Sequence, residues 1–83
     1  MNITLRYFAS IREALGTGSQ TWQTQASTVA ALRDELMALG GAYPEALARG
    51  KAIRVAVNQV MATDATPLTA NAEVAFFPPV TGG

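Results

Sequence analysis

The sequence predicts a small two-layer α+β fold in a single domain, and three observations carry this expectation. Several short segments alternate apolar and polar residues, which is the period of a strand with one buried face. One longer segment repeats apolar residues every three to four positions, as an amphipathic helix does. The 83 residues suit one domain, and 49% of them are apolar, enough for a core of strands packed against one main helix.

The first predicted element is a strand over residues 2–8, which is followed by a short helix over 9–15. One face of the strand carries the apolar residues that we expect to be buried, namely Ile3, Leu5 and Tyr7. The same parity places Phe8 on the opposite face. Two glycines, Gly16 and Gly18, are expected to end the helix and turn the chain.

An edge strand over 19–25 and the main helix over 28–39 are predicted next. The helix has one apolar stripe, made of Val29, Leu32, Leu36 and Leu39. Its opposite face is expected to be solvated and carries Arg33, Asp34 and Ala38. Thr28 suits the N-cap, and the two glycines at 40–41 suit the end of the helix.

The second half of the chain is predicted as one turn of helix followed by three strands. These elements are a helical turn over 43–48, a central strand over 52–58, a short strand over 60–61 and a last strand over 73–77. Asn58 and Gln59 are expected to form a tight turn. In the last strand, parity puts Val74 and Phe76 on the buried face and Phe77 on the outer face.

Composition excludes several classes of site. The chain has no Cys and no His, which excludes zinc fingers, thiol and imidazole nucleophilic sites and disulfide frameworks. Six basic residues balance six acidic ones, so no basic face for nucleic acid is expected. The carboxylates of Glu13, Glu45 and Asp64 have no spacing that forces two of them together, and we expect neither a catalytic pair nor a bound metal.

Nothing in the sequence predicts export or membrane insertion. The first residues lack a basic segment followed by a long apolar one, so no signal peptide is expected. The longest apolar stretch, 74–77, is four residues long, whereas a bilayer needs about 20. We therefore expect a cytoplasmic protein that does not contact a membrane.

An outward-facing apolar patch is the first feature that packing does not require. Phe8 and Phe77 fall on the outer face of the predicted sheet, and Met61 can join them there. Such patches mark surfaces that bind partner proteins. The alternative is that both rings pack under loops at the strand ends, since single exposed apolar residues are common.

The last six residues are the second such feature. Pro78 and Pro79 stiffen the start of this tail because each ring restricts φ. Gly82 and Gly83 have no side chains, so the end can enter a passage too narrow for other residues. The α-carboxylate of Gly83 is a poor electrophile by itself and a good acyl donor when joined to AMP. The alternative is an ordinary frayed terminus.

These features resemble a known family. Residues 73–83, Glu-Val-Ala-Phe-Phe-Pro-Pro-Val-Thr-Gly-Gly, resemble the terminal signature of the small, sulfur-carrier subunit of molybdopterin synthase. Three earlier segments, at 7–13, 28–33 and 56–59, resemble the family more weakly and occur in the same order as in the family. The family often has an Asp-Gly turn before the last strand, where this chain has Ala-Asn-Ala at 70–72. Asn tolerates the left-handed conformation that such a turn needs.

The resemblance implies a ubiquitin-like β-grasp fold over 1–77, a mixed sheet of four to five strands on one main helix, with a flexible tail over 78–83. It also implies that an adenylating partner related to ubiquitin-activating enzymes uses ATP on Gly83, and that a thiocarboxylate then forms there. The tail would enter the large catalytic subunit, in a heterotetramer, and donate its sulfur to precursor Z. The residues implied to bind partners are Phe8, Met61, Phe77, Pro78, Pro79, Val80, Thr81 and Gly82, and the carrier itself binds no cofactor.

Two other interpretations remain open on the sequence. The chain can be a sulfur carrier for thiamine synthesis or tRNA thiolation, whose carriers also end in Gly-Gly. It can instead be a ubiquitin-like protein modifier, joined through Gly83 to lysines of other proteins, or a simple interaction module that docks through Pro78 and Pro79. Two prolines outside a longer polyproline run make a poor ligand for a proline-recognising domain.

Overall fold

The structure is a computed structural model and describes residues 1–48 and 52–79. Its strands are β1 (Asn2–Tyr7), β2 (Ser19–Gln23), β3 (Arg54–Val57), β4 (Val60–Ala62) and β5 (Glu73–Phe77). Its helices are α1 (Ala9–Leu15), α2 (Val29–Met37) and α3 (Tyr43–Ala46). Within these ranges, no helix is long and apolar enough to cross a bilayer. The predicted order of elements is confirmed, and most bounds differ by one or two residues.

The five strands form one mixed sheet in the order β2-β1-β5-β3-β4. Only β1 and β5 are parallel, and the other neighbours run antiparallel. The strand predicted over 19–25 lies at an edge, as expected. The strand predicted over 52–58 is not the central one, because β5 inserts between it and β1. Local apolar pattern does not reveal which strand a later segment will pair with.

The core lies between the sheet and α2. The sheet contributes fully buried side chains from β1 and β5, namely Ile3, Leu5, Tyr7, Val74 and Phe76. From α2, the buried side chains are Val29, Leu32 and Leu36. The period-two and helical patterns therefore predicted the buried faces of the three elements that make up most of the core.

The expected faces of α2 are wrong at two positions. Leu39 is 50% exposed, because the helix ends at Met37 and the chain then turns away from the core. Arg33, expected in solvent, is only 5% exposed. Its guanidinium lies against the end of α3 and the loop after β4, two segments that cover this side of the helix.

Turn residues adopt the conformations that their sequence predicts. Thr28 caps α2 by accepting a hydrogen bond from the Ala31 amide at 3.3 Å. Asn58 and Gln59 both have positive φ, as a two-residue hairpin with the right twist requires. Asn58 also accepts a hydrogen bond from the Glu73 amide at 3.0 Å, which ties the β3–β4 hairpin to the start of β5. Asn71 has a φ of 64°, as expected for the turn before β5.

One carboxylate joins α2 to the edge strand. Glu35 accepts hydrogen bonds from the Trp22 indole at 2.9 Å, the Thr24 hydroxyl at 2.6 Å and the Gln25 amide at 2.9 Å. Burial raises the pKa of this carboxyl, but the hydrogen bonds from Thr24, Trp22 and the backbone outweigh it and hold the pKa below its ordinary value. The ionised form is therefore the one that stabilises this side of the fold.

Replacing Glu35 by Gln is expected to lower the free energy of unfolding by about 1–3 kcal/mol at pH 7, because charge-assisted hydrogen bonds are lost. Since the folded pKa is depressed, this contribution is complete above the ordinary value of 4.5 and is lost as the pH falls through the folded pKa. Urea titrations at several pH values should show the gap between wild type and variant closing in acid. The control E13Q, at an exposed residue of α1, should stay within about 0.5 kcal/mol of wild type. A difference in the free energy of unfolding that stays the same at acid pH would contradict the stabilising role of the ionised Glu35 carboxylate.

Candidate functional site

An aromatic pair stands on the face of the sheet opposite the core. The parallel register pairs Arg6 with Ala75 and Tyr7 with Phe76, so Phe8 and Phe77 come next, side by side. Their ring centroids are 4.6 Å apart and the ring planes are 9° from parallel, an offset stack. Both side chains are half-buried, and the parity prediction for them is confirmed. The pair thus offers a preformed apolar surface where β1 and β5 end.

Arginines border this aromatic pair. The Arg6 guanidinium carbon lies 5.6 Å from the centroid of the Phe8 ring, within cation–π range. Arg6 also lies 3.8 Å from the Glu73 carboxylate on the neighbouring strand β5. On the other side, the register places Arg54, an exposed residue, beside Phe77. A surface complementary to this one would be apolar in its centre and acidic at its edge.

Met61 shares this face but stands apart from the aromatic pair. The register aligns Met61 with Ala56, and Ala56 with Ala75, so the three lie in one row across the sheet. Two strand spacings separate Met61 from β5, about 10 Å. Met61 is 60% exposed, whereas both alanines are 6% exposed. The structure therefore confirms the face predicted for Met61 but places a shallow alanine platform between it and the rings.

The tail begins beside the aromatic pair. Strand β5 ends at Phe77, and the half-buried Pro78 and the exposed Pro79 follow it. We call these two prolines the tail base. The other predicted tail residues, Val80, Thr81, Gly82 and Gly83, lie outside the described residues. Whatever binds the aromatic pair therefore also lies next to the start of the tail.

Two titratable side chains, the buried Tyr7 and the partly exposed Asp64, contact other residues of the fold. Tyr7 lies in the core, stacked on Phe76 with ring centroids 6.1 Å apart. Burial, together with Tyr43 nearby, raises the pKa of the Tyr7 hydroxyl, which stays neutral at physiological pH. Asp64 accepts a hydrogen bond from Arg33 at 3.1 Å. These contacts indicate that Tyr7 and Asp64 stabilise the fold. We therefore consider the outer face and the tail as the candidate functional parts of the molecule.

The sequence did not predict that four residues of the outer face belong to the site, namely Arg6, Arg54, Ala56 and Ala75. Arg6 lies over Phe8, and Ala56 and Ala75 form the platform beside Met61. Two small residues at matching outward positions of two strands were a usable signal, but only once the strands were known to pair. That pairing, β3 with β5, comes from the tertiary fold.

Comparison with known proteins gives a consistent result. A model described as the ThiS family matches residues 5–83. The molybdopterin synthase sulfur carrier subunit of Escherichia coli is 43% identical over 81 residues, which cover 98% of this chain and 99% of that protein. The family match extends through the aromatic pair and the tail.

Solved structures share the architecture. The crystal structure of Haloferax volcanii small archaeal modifier protein 1 matches with a TM-score of 0.73 and 28% identity, covering 95% of this chain and 98% of that one. A chain in the Helicobacter pylori complex of subunits 1 and 2 of molybdopterin-converting factor matches with a TM-score of 0.69 and 24% identity, and both chains are fully covered. These likenesses confirm the ubiquitin-like β-grasp fold.

Proposed function

This chain belongs to the ThiS family, and we propose that it is the sulfur carrier subunit of molybdopterin synthase in molybdenum cofactor biosynthesis. The observation that carries the proposal is the 43% identity to a protein of that name over 98% of the chain. The structure supports it with an apolar aromatic pair beside the tail base, the arrangement that a carrier needs to present its last residue to an enzyme.

The chemistry proposed for the tail uses only the α-carboxylate of Gly83. In the adenylating partner, one carboxylate oxygen attacks the α-phosphorus of ATP and pyrophosphate leaves, which gives an acyl-adenylate. A sulfur donor at the oxidation level of hydrosulfide then attacks the carbonyl carbon, and AMP leaves with the oxygen bound to its phosphorus. The terminal carbonyl keeps one oxygen and gains one sulfur. This thiocarboxylate donates its sulfur to precursor Z in the large catalytic subunit.

In this proposal the β-grasp domain serves to bind enzymes and to deliver the tail. The stacked Phe8 and Phe77 bury apolar surface against each partner, and the arginines beside them select a surface with acidic groups. The H. pylori complex of subunits 1 and 2 shows a protein of this fold assembled with a second subunit. We propose the corresponding large subunit as the partner here, in a heterotetramer, together with an adenylyltransferase related to ubiquitin-activating enzymes.

Intact-mass spectrometry on Gly83 tests the proposal directly. Incubation with the adenylating enzyme, ATP and a sulfur donor is expected to give a protein heavier by one exchange of oxygen for sulfur. A variant without Gly83 should fold normally and stay at its own unmodified mass, because its terminal carboxylate, now on Gly82, lies one residue short of the position at which the adenylating enzyme reacts. Absence of the heavier wild-type species under conditions in which a known carrier is converted would reject the sulfur-carrier function.

A second candidate function is protein modification, favoured by the 28% identity to small archaeal modifier protein 1. A modifier would appear as Gly83 joined through an isopeptide bond to lysines of other proteins. Because the last Lys or Arg of the chain is Arg54, tryptic digests would then carry residues 55–83 on those lysines. Carriers for thiamine synthesis or tRNA thiolation would be separated by capture of their own enzymes instead of the large molybdopterin synthase subunit.

A further inference from the structure

A second apolar feature adjoins the tail base, on the side away from the aromatic pair. It is an open groove of about 520 Å³ between α1, α3 and the two prolines. Its apolar lining includes Ile11 and Ala14 of α1, Ala46 of α3, and Pro78 and Pro79. A groove of this size accommodates one large aliphatic side chain with room to spare.

The groove and the aromatic pair lie on two sides of the same short segment. Helix α1 begins at Ala9, directly after Phe8, and one of its residues, Ile11, lines the groove. The tail base begins directly after Phe77 and lines the groove as well. An enzyme that encloses the tail and covers the aromatic pair must therefore pass over the tail base and reach the edge of the groove.

Charge at the groove indicates what enters it. Glu45 on α3 is exposed and is the charged member of the groove's described lining. The arginines beside the aromatic pair give that side of the tail base the opposite sign. A segment entering the groove is therefore favoured when it carries a Lys or Arg beside its apolar side chain, and disfavoured when it carries a carboxylate.

We propose that the large subunit of molybdopterin synthase inserts an aliphatic side chain into this groove and places a basic side chain against Glu45. The large subunit then contacts the tail base from both sides, through the groove and through the aromatic pair. The inference rests on the proposed function, since it names the enzyme that takes up the tail. Contact on both sides orients Pro78 and Pro79, and with them the direction in which the tail enters the enzyme.

Isothermal titration calorimetry with the large subunit from the same organism tests this two-sided contact. E45K is expected to raise the Kd about tenfold by placing like charges together, and A14W, which fills the groove, at least tenfold. The matched controls are E13K and A38W, at exposed positions that do not line the groove, and these should stay within twofold. E45Q should make the Kd less sensitive to salt than in wild type.

The outcomes separate this inference from the function on which it rests. If the wild-type protein neither binds the large subunit nor forms the thiocarboxylate, the proposed function is rejected. The groove proposal is then rejected as well, because it names the large subunit as the occupant. Wild type that does both, with E45K within twofold of E13K, would overturn the groove proposal alone. Circular dichroism confirms folding of each variant, and should A14W fail to fold, E45K decides the question because its residue is exposed.

Discussion

Replacing Phe77 by Glu is expected to weaken binding of the large subunit by about 2–4 kcal/mol, roughly 30- to 700-fold in Kd. Phe77 stacks on Phe8 at 4.6 Å, so the substitution removes one half of the apolar surface and leaves a carboxylate in its place. Removal of a central aromatic residue from a protein interface typically has effects of this size. Titration calorimetry on purified subunits measures the change.

The effect on folding should be much smaller, because Phe77 lies outside the core cluster. Loss of the stack is expected to lower the free energy of unfolding by about 1 kcal/mol. L39E is the matched control: Leu39 is an exposed apolar residue beyond the end of α2, and its Kd should stay within twofold of wild type. A folded F77E variant that binds as tightly as L39E would show that the aromatic pair is not the partner surface.

Replacing Arg33 by Ala is expected to lower the free energy of unfolding by about 2–4 kcal/mol, a large part of the stability of a domain this size. Its guanidinium donates to the Leu47 carbonyl at 2.8 Å, the Ala48 carbonyl at 2.9 Å and the Asp64 carboxylate at 3.1 Å. Without Arg33, the end of α3 loses the donors for these carbonyls. Urea unfolding at pH 7 measures the loss.

Two comparisons identify which contacts of Arg33 matter. Asp64 is 46% exposed, so solvent screens its ion pair, and D64N should cost less than about 1 kcal/mol. R33K should lose most of the stability that R33A loses, because a single ammonium cannot reach both carbonyls and the carboxylate in the fixed fork of a guanidinium. If D64N lowers the free energy of unfolding as much as R33A does, the ion pair with Asp64, and not the hydrogen bonds to the two carbonyls, provides the stabilisation by Arg33.

Local pattern was sufficient for the buried faces of the strands and for the turns. Alternation in β1 and β5 identified Leu5 and Phe76 as core residues, since side chains in a strand point to opposite faces whatever the strand's neighbours. The tight turn at Asn58 and Gln59 was predicted for a similar reason, because turn conformations depend on the few residues within them, and the structure gives both residues a positive φ.

The candidate site was predicted in part. Parity predicted the outer positions of Phe8 and Phe77, and Met61 was expected to join them. The structure places all three on that face. Their role in binding partners stays a prediction. Contact between Phe8 and Phe77 depends on strand order, and so does the distance that separates Met61 from them. The residue pattern does not predict that order.

By itself, the sequence determined the faces of the strands, the N-cap of α2, the turns and the family, because each of these depends on neighbouring residues or on a motif. The reaction at Gly83 stays a prediction. Only the tertiary structure decided that β5 lies between β1 and β3, that Arg33 is buried, and that a groove adjoins the tail base. Each of these results from segments distant in sequence coming together. The burial of Arg33 shows the reason. The apolar pattern of a helix predicts the face that packs on the sheet, but it does not predict that other segments, here the end of α3 and the loop after β4, will cover a second face.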